Sequence, residues 1–111
     1  MFTVRRHSEP EPGQSRTVRF EGRDFGGEVS FFLVDADPGR GSAMHKHPYS
    51  ETWIVRKGEA EFTVGGQTTR GFAGDIVVAS ANIPHRFENV GNDRLELVCI
   101  HPTDHMVQEN V

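Results

Sequence analysis

Apolar and polar residues alternate in short runs along most of this chain. Val18 and Phe20 alternate with polar neighbours, and Ala60, Phe62 and Val64 do the same. A period of two is typical of strands that bury one face, and no window of a dozen residues shows the 3.6-residue period of an amphipathic helix. The pattern predicts about nine or ten short strands, and hence an all-β sandwich or barrel.

Turn-forming residues delimit these strands. Gly65 and Gly66 are a strong two-residue hairpin signal, and Asp37 to Gly41 has the composition of a turn. The predicted strands cover residues 16–21, 28–35, 51–57, 59–64, 67–72 and 75–79, and two more follow around His85 and Leu97.

One domain accounts for the 111 residues. We predict an N-terminal arm over residues 1–15, where Phe2 to Arg5 could form a short strand before an exposed connector rich in Pro, Glu and Ser. Residues 16–111 are predicted to form the barrel.

The strand predicted at 28–35 is apolar on both faces. Val29, Phe31 and Leu33 lie on one face, while Phe32 and Val34 lie on the other. A strand of this kind is covered on both sides, either inside a sandwich or beneath another subunit. We therefore expect a homodimer.

Charge and cysteine content limit the functions to consider. Twelve basic and sixteen acidic residues give a net charge of −4 without a basic stripe, so we expect no nucleic-acid partner. No apolar run approaches the roughly 18 residues of a membrane helix, and residues 1–6 are not followed by the apolar core of a signal peptide. Cys99 is the only cysteine, which favours a cytoplasmic location.

Candidate chemistry begins between Gly39 and Gly58, where His45 and His47 are two residues apart and Glu51 follows. On a strand, this spacing points both imidazoles to one face. Imidazole and carboxylate groups are metal ligands, although a pair of solvated histidines beside a turn would give the same pattern.

A second stretch, residues 74–89, supplies another candidate ligand. His85 opens a predicted strand that could face His45 and His47 across an antiparallel barrel. Taken alone, His85 is more often a structural or surface histidine, so only the combination favours metal.

These two stretches resemble the two motifs of the cupin family. The first fits G-x5-H-x-H-x3-E-x6-G at every position: Gly39, His45, His47, Glu51 and Gly58. The second, G-x5-P-x-G-x2-H-x3-N, is matched at Gly74, His85 and Asn89. It departs where Ser80 replaces proline and Asn82 replaces glycine, but asparagine tolerates the left-handed conformation and should preserve the turn.

The resemblance implies a small jelly-roll barrel with one divalent metal ion per chain. His45, His47, Glu51 and His85 would hold the ion, which could be iron, manganese, nickel, zinc or copper. Its open coordination positions would suit a small anionic or oxygen-rich molecule.

The resemblance covers several functions. An oxygenase, isomerase or decarboxylase is expected first, and a non-catalytic ligand-binding or sensory barrel is the alternative. A storage or assembly role is a weaker third hypothesis.

Other side chains are candidates for proton transfer or packing. Strand parity carries Leu95, Leu97 and Cys99 inward as core residues, and the same parity brings His101 to the barrel mouth as a candidate acid or base. Tyr49 could place its hydroxyl near a substrate.

Overall fold

Two antiparallel five-stranded sheets, packed face to face, make up this protein. The computed structural model describes all 111 residues, and no α-helix is present. The strands are β1 (Val18–Phe20), β2 (Ser30–Ala36), β3 (His45–Lys46), β4 (Glu51–Lys57), β5 (Glu59–Val64), β6 (Gln67–Phe72), β7 (Ile76–Ala79), β8 (His85–Asn89), β9 (Leu95–His101) and β10 (Glu109–Asn110). The all-β prediction and the predicted number of strands are confirmed.

The two sheets follow different strand orders. The first sheet has the order β1-β2-β9-β4-β7, and the second has the order β10-β3-β8-β5-β6. Chain neighbours β4 and β5 belong to different sheets, so the chain crosses between the sheets at Gly58. Gly58 has a φ of 87°, and a Cβ there would lie 2.5 Å from the Arg94 carbonyl oxygen. Only glycine fits this crossing.

Inward-facing apolar side chains fill the space between the sheets. Trp53 and Phe62, from opposite sheets, stack with ring centroids 4.7 Å apart, and both are fully buried. Leu95, Leu97 and Cys99 alternate inward along β9, as predicted. Burial at this scale contributes about 1.5–3 kcal/mol for each large side chain. Burial also raises the pKa of the Cys99 thiol well above its usual value, which suits a core residue rather than a nucleophile.

The turn before β8 keeps the shape predicted for it. Asn82 is the only residue other than glycine with a positive φ, at 63°. Its backbone N–H donates to the His47 carbonyl at 2.7 Å, so this turn also holds the segment that follows β3.

The N-terminal region differs from the prediction in detail. Residues 2–5 form no strand; instead the Arg5 side chain donates to the Arg19 carbonyl at 2.8 Å, so this segment contributes a side chain rather than a backbone ladder. The predicted turn after β1 contains a single 3₁₀ turn, Gly22–Phe25. The domain division at residue 16 stays a prediction. No helical segment has the length and apolar character needed to cross a membrane.

Candidate metal centre

Four buried side chains from both sheets meet at one end of the space between the sheets. His45 on β3 is paired with His85 on β8, so the second sheet supplies both imidazoles from adjacent strands. Glu51 opens β4 of the first sheet, and His47 lies in the connection between β3 and β4. Each of the four is no more than 7% exposed.

The donor atoms of these four residues converge. One ligand atom from each lies within 4.8 Å of all the others. The Nε2 atoms of His47 and His85 lie 2.9 and 3.2 Å from Oε1 of Glu51. The sequence prediction grouped the same four side chains, and the structure brings them together.

Backbone carbonyls determine which nitrogen of each imidazole faces inward. The Nδ1 atoms of His45, His47 and His85 bond the carbonyl oxygens of Ala43, Val107 and Ile83 at 2.6, 2.7 and 3.0 Å. A carbonyl can only accept, so each Nδ1 carries the proton and each Nε2 presents a lone pair to the centre. In keeping with this, Nε2 of His47 is buried without a hydrogen-bond partner of suitable geometry.

The charge of Glu51 completes a cation site. Burial alone would raise the pKa of this carboxyl group, but when Nε2 of His47 and of His85 also carries a proton, the two imidazolium rings beside Glu51 outweigh burial and lower its pKa to about 2. Three inward lone pairs and an ionised carboxylate attract positive charge. Backbone carbonyls that accept from Nδ1 and so orient histidine ligands are a usual feature of metal sites. The residues present therefore fit one divalent metal ion.

A fourth buried imidazole, that of His101, lies beside the centre with a different kind of partner. Nε2 of His101 is 3.6 Å from Oε1 of Glu51, and its Nδ1 is 2.6 Å from the Tyr49 hydroxyl. The Val107 N–H donates to the same hydroxyl at 3.2 Å. A hydroxyl can donate or accept, so the tautomer of His101 is not fixed by a carbonyl. Burial lowers the His101 pKa to about 4, so the ring is neutral at neutral pH.

The centre opens into a cavity of about 610 Å³. His45, Glu51 and His101 form its inner end. Polar residues of the segment 13–17 and of the β2–β3 connection also line it, among them Arg16 and Arg40. Tyr49 is not part of the cavity wall; its ring stacks on His47, with centroids 5.0 Å apart. It can therefore act on a ligand only through His101.

Two elements of this site were missing from the sequence prediction. Val107 acts through its backbone and lies 60 residues from His47, so no residue type or spacing marks it. Arg40 sits inside the first motif, between Gly39 and His45, and its charge in a motif that leads to ligands is a signal that could have identified it.

Removing the C-terminal segment tests the role of the Val107 carbonyl. A chain ending at Met106 is expected to bind Co²⁺ about 10- to 100-fold more weakly, because His47 loses the acceptor that orients its ring. Titration followed by visible absorption measures the affinity. A chain ending at Gln108 is the matched control, because it loses β10 but keeps Val107. Equal affinity of the two shortened chains would contradict the role of Val107.

The fold and this centre define a double-sheet β protein with three histidines and one glutamate around a position for a divalent ion. Residues 32–101, more than half of the chain, match the family model of the cupin domain. The chain belongs to the cupin family, and the resemblance of its two motifs is confirmed.

Comparison with curated proteins and solved structures agrees with this membership. The uncharacterized protein SCO3923 of Streptomyces coelicolor is 30% identical over 76 residues, which cover 68% of this chain and 72% of that protein. Oxalate decarboxylase from Bacillus subtilis at pH 4.6 superposes with a TM-score of 0.77 and 25% identity over 92% of this chain. The formate complex of Lactobacillus farciminis oxalate decarboxylase gives 0.78 and 22% over 92%.

The oxalate decarboxylases are much larger than this chain, which spans 30% of the Bacillus protein and 32% of the Lactobacillus protein. One further Bacillus subtilis structure, with a TM-score of 0.77, 25% identity and 92% of this chain covered, concerns the Mn(II) centres of that enzyme. These likenesses confirm the jelly-roll fold.

Proposed function

We propose that this cupin is a metal-dependent enzyme that acts on a small anionic or oxygen-rich molecule. The observation that carries the proposal is the convergence of three imidazole Nε2 atoms and one carboxylate at the inner end of an open cavity, beside a fourth imidazole, that of His101, with a different partner. His45, His47, Glu51 and His85 would hold the ion. When bound, the ion would polarise a substrate oxygen as a Lewis acid or support chemistry with dioxygen.

The chain's own contribution to the reaction is proton handling by His101. Its Nε2 is directed at the centre and its Nδ1 at Tyr49. When the Tyr49 hydroxyl donates, Nε2 carries a proton that can be given to a substrate; when the hydroxyl accepts, Nε2 presents a lone pair that can take one. His101 is the proposed catalytic residue, and Tyr49 positions it.

Exchange of His101 for glutamine is expected to lower turnover about 100- to 10,000-fold, the usual contribution of a general acid or base. The metal content should stay the same, because His101 is outside the four-residue group. Turnover is followed by oxygen uptake and by product analysis with 2-oxo and 2-hydroxy acids, using protein purified without a nickel column.

Exchange of Arg86 for glutamine is the control, since this side chain is exposed on the outer face of β8. If His101→Gln keeps full turnover, the proton-transfer role is wrong. Oxygen consumption would identify a dioxygenase, and carbon dioxide release without it would identify a decarboxylase.

A non-catalytic binding or sensory barrel is the second candidate. The observation that favours it is the size of the cavity, which falls within the range of about 300–1,000 Å³ typical of ligand pockets whether or not they catalyse. Tight binding of an acid by the metal-loaded protein, with no turnover in wild type, would support this candidate.

We also propose that the protein is a homodimer joined through the outer face of the first sheet. Two cross-strand rows on this face are apolar from edge to edge except at Thr52. One row contains Val18, Leu33, Val98, Ile54 and Ile76, and the other contains Phe20, Phe31, Ile100, Thr52 and Val78.

The outer face of the second sheet provides the contrast within the same molecule. Its strands β5 and β8 place Glu61 opposite Glu88 and Thr63 opposite Arg86. This face is suited to water, whereas a continuous apolar sheet face usually marks an interface. A second copy fits the apolar face because a two-fold axis pairs it with itself.

We propose a cytoplasmic location on the basis of cysteine usage. Cys99 is the single cysteine and is buried, so the fold uses no internal disulfide, as is usual in a reducing compartment. Fractionation of cells expressing the untagged protein measures the location directly.

A further inference from the structure

The cavity beyond the metal centre has more room than a very small acid needs. This cavity of about 610 Å³ extends from His45, Glu51 and His101 to residues 13–17, at the junction of the arm and the barrel, and to the β2–β3 connection. Pockets of this size enclose molecules much larger than a two-carbon acid. If the proposed function holds, the substrate extends from the metal centre toward the mouth.

Most charges at the mouth already have partners. Arg16, the first residue after the arm, lies 2.9 Å from Oδ1 of Asp37 and 3.6 Å from Oδ2 of Asp35. Arg94 also contacts both carboxylates, at 3.1 Å from Asp37 and closer still to Asp35. Two arginines thus balance two aspartates. This network also fixes the end of the arm against β2, where it becomes a wall of the cavity.

Arg40 is the remaining cation of the cavity wall. No carboxylate lies within 4.0 Å of its guanidinium group, in contrast to Arg16. Its backbone is held on both sides: the Arg40 N–H donates to the Asp37 carbonyl at 3.1 Å, and its own carbonyl accepts the Asn89 N–H at 2.7 Å. The backbone of Arg40 is therefore fixed, and its guanidinium group has no carboxylate partner in the chain. Such a group can donate two hydrogen bonds to a carboxylate of a ligand.

We propose that the substrate is an elongated acid with two anionic ends. One end, an oxygen-rich head, binds at the metal centre, and the other, a carboxylate, binds Arg40. With a divalent ion bound, both ends of the cavity are positive, because Glu51 neutralises only part of the ion's charge. This inference rests on the proposed function and identifies Arg40 as the residue that selects a second carboxylate.

Matched pairs of 2-oxo acids test the inference. In each pair the metal-binding head and the chain length are the same, and only the distal carboxylate differs: 2-oxopentanoate with 2-oxoglutarate, 2-oxohexanoate with 2-oxoadipate, and 2-oxoheptanoate with 2-oxopimelate. Binding to Co²⁺-loaded protein is measured by calorimetry and by the visible spectrum of the ion. For at least one chain length, we expect the diacid to bind about tenfold more tightly than its partner, as for a hydrogen bond to a charged group.

The Arg40→Gln variant is expected to lose this advantage while binding the monoacids as wild type does. Arg86→Gln, which removes an exposed charge outside the cavity, should keep it. Equal binding within every pair, or an advantage that survives Arg40→Gln, would overturn the inference alone. If the protein does not bind Co²⁺, or if the Co²⁺-loaded protein binds none of the six acids, both the proposed function and this inference are wrong.

Discussion

Replacement of His47 by alanine is expected to abolish stable metal binding, raising the dissociation constant of a divalent ion by at least about 100-fold. Among the four residues, His47 is the one whose Nε2 is both 2.9 Å from Glu51 and without a hydrogen-bond partner. Its removal takes one of four buried ligands away and leaves the Glu51 charge with fewer partners. Metal analysis of protein purified without a nickel column gives the stoichiometry, and Co²⁺ titration gives the affinity.

Thermal unfolding provides a second, independent measure of the same change. An ion present at about 100 times its dissociation constant stabilises the native state by about 2.7 kcal/mol, which corresponds to roughly 10 °C for a domain of this size. Wild type should show this shift on addition of metal, and His47→Ala should not.

Arg86→Ala is the control for His47→Ala, because Arg86 is exposed on the outer face of β8 and lies outside the centre. Circular dichroism establishes whether His47→Ala keeps its β structure. A folded His47→Ala protein that retains one ion per chain with unchanged affinity would mean that the ion binds elsewhere.

The sequence was sufficient to predict the members of this centre but not the way they are oriented. Residue types and motif spacing identified His45, His47, Glu51 and His85. Strand parity predicted that His101 points inward at the barrel mouth, whereas it lies buried beside the centre. The acceptors on the three Nδ1 atoms are backbone carbonyls, and any residue can supply a carbonyl. The contribution of Val107 depends on how the tail folds back, which no local pattern encodes.

The same distinction applies to the fold. Strands with three or more alternating positions, such as β5 and β9, were predicted because alternation has enough length to be recognised. β3 and β10 have two residues each and therefore no period, and they form because each finds a partner strand. The arm was predicted as an exposed connector, but residues 13–15 at its end line the cavity together with Arg16 and Thr17. The ion pairs of Arg16 with Asp35 and Asp37 hold this segment, and contacts between residues so far apart in the chain cannot be predicted from local composition.

The apolar residues on both faces of the strand predicted at 28–35 have only part of their explanation in that strand. Phe32 and Val34 face the core and Leu33 lies on the opposite face, so the predicted division of the strand into two faces is observed, but Leu33 is 43% exposed within one chain rather than covered. What the sequence did not make apparent is that the outward apolar positions of four other strands align with Leu33 and Phe31. Register, rather than the composition of one strand, produces the continuous face.

Substitution of Val98 by lysine is expected to convert the proposed dimer into monomers. Val98 lies on β9, the middle strand of the first sheet, in the row that contains Leu33 and Ile54. A two-fold interface would bury this lysine twice, once on each protomer, in the middle of an apolar row. The cost of several kcal/mol for an unpaired buried charge corresponds to at least about a 100-fold weaker association. Sedimentation velocity and light scattering at micromolar concentrations measure the mass.

The matched control is Thr63→Lys, which adds the same charge to the outer face of the second sheet, where Thr63 lies opposite Arg86. We expect Thr63→Lys to remain dimeric and both variants to bind metal, because neither position touches the centre. A Val98→Lys protein with the mass of a dimer would place the interface elsewhere. A monomeric wild type would contradict the dimer itself, and the apolar rows of the first sheet would then need another partner.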